Sequence, residues 1–136
     1  MEILVFNKSQ DAFLAPTLTL SEFRCQCDHS ECTRTLVLAA TVKSFQCLRR
    51  AFNQPIQVNS AFRCQIHNKE VGGIDTSFHK TGSAMDLRPV GDFTVEELDR
   101  LEELAILYFD TVLRYEGFIH CHNLGDTFRQ VTDTEQ

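Results

Sequence analysis

The sequence predicts an α+β fold, a small and mostly antiparallel sheet packed with two main helices. Three observations carry that expectation. Apolar residues recur at steps of three and four in two stretches. Short segments of alternating polarity lie between and after them. The order of the pieces is helix, strand, loop, strand, helix, hairpin, which suits an antiparallel sheet better than a parallel one.

Taken in order, residues 1–34 read as irregular, with Pro16, a Ser/Thr-rich stretch and a cysteine cluster. From about Thr35 to Phe52, Leu38, Val42, Phe45, Leu48 and Phe52 share one helical face, and Asn53-Gln54-Pro55 ends it. Ile56-Gln57-Val58-Asn59 alternates and reads as a strand. Residues 64–83 hold Gly72-Gly73 and Gly82 with little periodicity, which predicts a long functional loop with a short helical turn. Ala84 to Arg88 is the next strand, ended by Pro89. Thr94 and Glu97 form a capping box before Leu98, Leu101, Leu104 and Tyr108, so a second helix follows. Thr111 to Tyr115 and Phe118 to His122 make a hairpin around Glu116-Gly117, and Thr132 to Gln136 read as a loose tail. The 136 residues are expected to form a single domain.

Composition narrows the function. A hydrophobic content of 43% is enough for a core. The net charge of −6 and the lack of a basic patch argue against a nucleic-acid partner. No stretch approaches a membrane span. The N-terminus has no basic start and no sustained apolar segment, so no secretory signal is expected. That points to cytoplasmic synthesis, and six cysteines then read as reduced thiols or metal ligands rather than disulfides.

The residues that carry chemistry are histidines and one aspartate. His120-Cys121-His122 lies on a strand, where residues two apart share a face. His120 and His122 should therefore project together, while Ile119 and Cys121 face the core. That orientation argues against Cys121 as a thiol-protease nucleophile. His79 in the loop and Asp86 in the strand after it, with Gly82 allowing a sharp turn between them, add an imidazole and a carboxylate. Imidazoles with a carboxylate leave zinc an open position for water, the catalytic rather than the closed structural arrangement.

Several motifs together resemble the M15 peptidases: Ser60-Ala61-Phe62-Arg63-Cys64 through His67-Asn68 and Val71-Gly72-Gly73; Ser77-x-His79-x-x-Gly82-x-Ala84-x-Asp86; and Gly117-Phe118-Ile119-His120. These are zinc D-alanyl-D-alanine carboxypeptidases and L-alanyl-D-glutamate endopeptidases of the phage endolysin type. The resemblance runs from about Leu20 to His122. It implies the fold shared with the hedgehog signalling domain, and one catalytic zinc held by His79, Asp86 and His120. It implies a peptidoglycan peptide as substrate, with Arg63 contacting substrate or steadying the oxyanion. Ser77 falls on the motif serine, as a substrate contact or a loop cap. Many members carry a general base three residues before the last ligand, where this chain has Gly117. Glu116 and His122 are the two candidates for that role. A non-catalytic zinc-stabilised binding module is the competing expectation. A monomer is expected, acting without membrane or nucleic-acid partners, and released to the cell wall from a host cytoplasm or carried in a virion.

Cys25-x-Cys27-x4-Cys32, with His29 between, is a second metal-like pattern. Its spacing matches no common zinc finger and it lacks a matching second pair, so a second zinc at Cys25, Cys27 and Cys32 is not expected, although Cys64 could complete the set in space.

Overall fold

In the computed structural model, which describes residues 3–123, the chain is α+β. Its centre is a four-stranded antiparallel sheet of β5 (Ile56–Ser60), β6 (Ala84–Pro89), β8 (Phe118–His122) and β7 (Thr111–Tyr115), in the order β5-β6-β8-β7. Two long helices, α2 (Ala39–Phe52) and α4 (Val95–Ala105), cover one side of it. The smaller elements are β1 (Ile3–Asn7), β2 (Phe13–Ala15), β3 (Leu18–Thr19), α1 (Leu20–Phe23), β4 (Arg34–Leu38), α3 (Gln65–Glu70) and a one-turn 3-10 helix at Phe78–Thr81.

The core follows from the two periodicities. Phe45, Leu48 and Phe52 of α2 meet Leu98, Leu101 and Ala105 of α4. Both sets pack on Val58, Met85, Leu87, Ile119 and Cys121, which are alternate residues of their strands. The capping box at Thr94 and Glu97 starts α4, and Asn53, at φ 56°, ends α2. Arg100 of α4 then donates to the Phe52 carbonyl at 2.9 Å and stacks over the Phe52 ring, joining the two helices.

Two expectations are corrected. The segment expected to be irregular, 1–34, holds β1 to β3 and α1 between Ile3 and Phe23, α1 with its own capping box at Thr19 and Glu22. The first long helix begins at Ala39 rather than Thr35. Arg34–Leu38 is a strand because Thr35 and Val37 alternate into the core and the segment pairs antiparallel with Ile3–Asn7. The partner strand lies in the part of the sequence with the weakest pattern, so local periodicity could not reveal the pairing. The expected tail at Thr132 to Gln136 lies outside the described residues.

Candidate metal centre

The face of the sheet turned away from α2 and α4 carries the polar groups. Strand register puts Asp86 of β6 directly opposite His120 of β8, so both side chains rise on that face. His122 and Phe118 share it by alternation, and Leu113 and Tyr115 join from β7. Ile119 and Cys121 point the other way and are fully buried, and burial pushes the Cys121 thiol far above its ordinary range. Cys121 therefore offers no nucleophile to this face, as alternation predicted.

His79 arrives from the 3-10 turn. Gly82 closes that turn at φ +72°, and a Cβ there would collide with the Leu36 carbonyl. The sharp turn and the close backbone approach both require glycine. The Leu38 N–H then donates to the Gly82 carbonyl at 3.1 Å and the Arg63 N–H to the His79 carbonyl at 3.0 Å, pinning the loop at both ends. Ser77 caps the turn, its hydroxyl accepting from the His79 N–H at 3.2 Å.

His79, Asp86 and His120 each offer one ligand atom, and these atoms lie within 4.8 Å of one another. The hydrogen bond behind His79 fixes its tautomer. His79 Nδ1 sits 2.6 Å from the Ala61 carbonyl, which can only accept, so Nδ1 carries the proton. A neutral His79 then turns the bare Nε2 toward Asp86 Oδ1 at 3.2 Å. Two acceptors facing each other at that distance need a proton or a metal cation between them. His120 brings Nδ1 to 2.9 Å from the same Oδ1, and its Nε2 lies 2.8 Å from His122 Nδ1. Metal ligands of the imidazole type commonly have their second nitrogen engaged in this way. Two imidazole nitrogens, a carboxylate and an occupied second nitrogen on each ring fit a divalent ion such as zinc, with a coordination position left over.

Charge supports the same arrangement. Burial works against an ionised Asp86, but where protons rather than a metal lie between the rings and the carboxylate, the hydrogen bonds from His120 and His79, and their charge, outweigh it and hold the carboxyl well below the usual range. The other carboxylate oxygen, Oδ2, accepts from Arg63 Nη2 at 3.3 Å. Arg63 is itself braced by Ser60 Oγ at 3.2 Å and Asn68 Oδ1 at 3.1 Å. Burial, with the charge on His120 next, pushes His122 down to about 4, so this ring is neutral near pH 7. It also stacks on Phe78, with centroids 4.2 Å apart.

These groups line a cleft of about 370 Å³. Its floor is His79, Asp86, His120 and His122, with Arg63 and Ser77 beside them and apolar walls from Phe78, Leu113, Tyr115 and Phe118. Of the sequence candidates, Glu116 stands apart: it is exposed in the β7–β8 turn and does not line the cleft. Sequence reasoning gave no role to Ala61, Asn68 or Phe78, although the first two lie in a motif that carries the resemblance. Ala61 acts only through its backbone, which leaves no residue-type signal. Asn68 is 2% exposed, and its carboxamide also donates to the Ile74 carbonyl at 2.9 Å. The neighbouring Gly73 was the available clue, because a Cβ there would run into that carboxamide.

The sequence model of the Peptidase M15 family matches residues 16–122, most of the chain and every residue of the cleft floor. No curated protein matches the chain.

Proposed function

Since the chain belongs to the M15 peptidase family, we propose that it is a zinc-dependent peptidase hydrolysing an amide bond in peptidoglycan stem or cross-link peptides. The observation that carries the zinc reading is His79 Nε2 facing the Asp86 carboxylate, with the ring fixed from behind by Ala61. On this reading His79, Asp86 and His120 hold the ion. When bound, zinc polarises a carbonyl and brings a water's pKa toward about 7.

The chain's own residues have separable tasks. His120, ligating through Nδ1, keeps its proton on Nε2 and donates it to His122 Nδ1. His122 then carries its remaining hydrogen on Nε2, which makes that nitrogen a donor. The tautomer favours His122 as the residue that orients His120 over the role of proton acceptor. Arg63 holds Asp86 Oδ2 and lines the cleft, where its fixed positive charge suits a carbonyl oxygen gaining negative charge. Ser77 lines the cleft and also caps the His79 turn, so its hydroxyl has both a structural and a substrate-facing use.

Incubating the purified protein with muropeptides, with and without a chelator, tests the proposal by mass spectrometry. Chelator-sensitive cleavage is expected. Cleavage that the chelator leaves untouched would refute a zinc mechanism. A second reading, a zinc-stabilised binding module that does not turn over substrate, is favoured by one observation. Asp86 is the only carboxylate among the described residues lining the cleft. Bound zinc without cleavage of any muropeptide would select it.

A further inference from the structure

Four cysteines from three separate parts of the chain meet next to Arg63, the chain neighbour of Cys64. Cys25 and Cys27 follow α1, Cys32 precedes β4, and Cys64 is the N-cap of α3. Their sulfurs all lie within 4.8 Å of one another. Three of the separations are nearly equal: Cys25–Cys27 3.5 Å, Cys27–Cys64 3.6 Å and Cys25–Cys64 3.7 Å. A disulfide would draw one pair to about 2.05 Å. Four sulfurs about 2.3 Å from a central zinc would instead stand about 3.8 Å apart.

Burial raises the Cys25 and Cys32 thiols, but hydrogen-bond donors reach three of the four sulfurs. The Cys64 N–H donates to Cys25 Sγ at 3.3 Å, and the His67 N–H donates to Cys64 Sγ at 3.4 Å. The Lys8 ammonium reaches Cys27 Sγ at 3.4 Å and the Cys27 carbonyl at 2.7 Å. Two backbone N–H groups and one ammonium thus point at the sulfurs. His29, the fourth ligand suggested by the linear spacing, is engaged elsewhere: its Nε2 lies 2.8 Å from Glu70 Oε1. The missing ligand is Cys64, supplied by the fold, so the short cysteine motif is three quarters of a site.

We propose that Cys25, Cys27, Cys32 and Cys64 bind a structural zinc ion as a closed tetrathiolate. Binding displaces the four thiol protons to solvent, forms four Zn–S bonds and changes no oxidation state. The complex carries a net charge of −2, of which the Lys8 ammonium offsets one unit. The site does not depend on the peptidase reading, and it has no open position for chemistry. Its consequence is mechanical. It clamps residues 25–32 to Cys64, the neighbour of Arg63, and thereby anchors the arginine that holds Asp86. The His29–Glu70 pair ties the same two segments together.

Zinc content of the protein as isolated, measured by native mass spectrometry, tests this. Two ions per chain are expected in the wild type, one in His79→Ala and one in Cys27→Ser/Cys64→Ser. Cobalt reconstitution separates the two sites without relying on a variant that must fold. The tetrathiolate should give intense sulfur-to-cobalt charge-transfer absorption, retained in His79→Ala, whereas the His/Asp/His site gives none. Wild-type protein without that absorption overturns the proposal. So does a two-hydrogen mass deficit assigning a disulfide among the four cysteines. Loss of both ions in His79→Ala overturns it as well, while leaving the peptidase reading intact.

Discussion

Replacing His122 with Phe is the most informative single change. The ring and its stacking on Phe78 are kept, and only the acceptor for His120 Nε2–H is lost. A neutral hydrogen bond contributes about 0.5–1.5 kcal/mol net, and an N–H left without a partner in a confined site costs about 1–3 kcal/mol. The His120 side chain is only 15% exposed, so water replaces that acceptor incompletely. A loss of about 1.4–2.7 kcal/mol in zinc binding follows, which is a 10- to 100-fold weaker Kd, the range found for residues that orient metal-bound histidines. Competition with a chromogenic chelator measures it directly. His122→Asp restores an acceptor and should bind zinc within about threefold of wild type, since a carboxylate is a common partner for a metal-bound imidazole. If His122→Phe binds zinc as tightly as wild type, the orienting role is wrong. If, in addition, turnover at saturating zinc falls by about 10²–10⁴-fold, the loss expected for a missing general base, His122 is the proton acceptor.

Three further outcomes follow from the same geometry. Glu116→Gln should leave kcat/KM on muropeptides within about threefold, because the carboxylate stands outside the cleft; a loss of 10²–10⁴-fold would bring it into the reaction. Arg63→Lys should lower kcat by about 10²–10³-fold, as for loss of one oxyanion donor, because an ammonium cannot span Ser60, Asn68 and Asp86 together; unchanged steady-state kinetics would remove Arg63 from the mechanism. Gly82→Ala should destabilise by about 2–5 kcal/mol, the sum of a left-handed backbone penalty and the clash with the Leu36 carbonyl, and lower Tm by roughly 10 °C; a melting curve that overlays the wild type would show that the turn relaxes freely.

What the sequence revealed and what it hid divide along physical lines. The hairpin Thr111–Tyr115 and Phe118–His122 was legible to the residue because its alternation and its Glu116-Gly117 turn are local. The α4 start was legible because a capping box is a four-residue signal. The pairing of Arg34–Leu38 with Ile3–Asn7 was not, since it depends on a partner about thirty residues away. The candidate ligands showed the same split. His120 and His122 on one face follow from strand period alone, but their meeting with Asp86 depends on the β6–β8 register. The fourth cysteine shows it most sharply. Cys25, Cys27 and Cys32 form a visible motif, yet Cys64 comes into range only once α3 packs against the N-terminal segment, and the apparent ligand His29 turns instead to Glu70.

Asp86 explains why the site is built from a strand rather than from loops. Its Oδ1 faces both histidines and its Oδ2 faces Arg63, so one carboxylate sets the distance between the candidate metal ligands and the cleft's positive charge. A flexible residue in that place would let either partner drift, and displacements of about 1 Å are enough to cost catalysis two orders of magnitude. Here the carboxylate is fixed between Ser60 on β5 and His120 on β8 by pairing on both sides. Each of its partners is then held from behind by a group that is not itself reactive: His79 by the Ala61 carbonyl, His120 by His122, and Arg63 by Asn68 and Ser60. Three supports converging on one residue mean that the sequence motif Ser77 to Asp86 can place only two of the candidate ligands. The rest of the precision comes from the sheet and from the segment around Arg63, whose neighbour Cys64 is where the thiol cluster grips the chain.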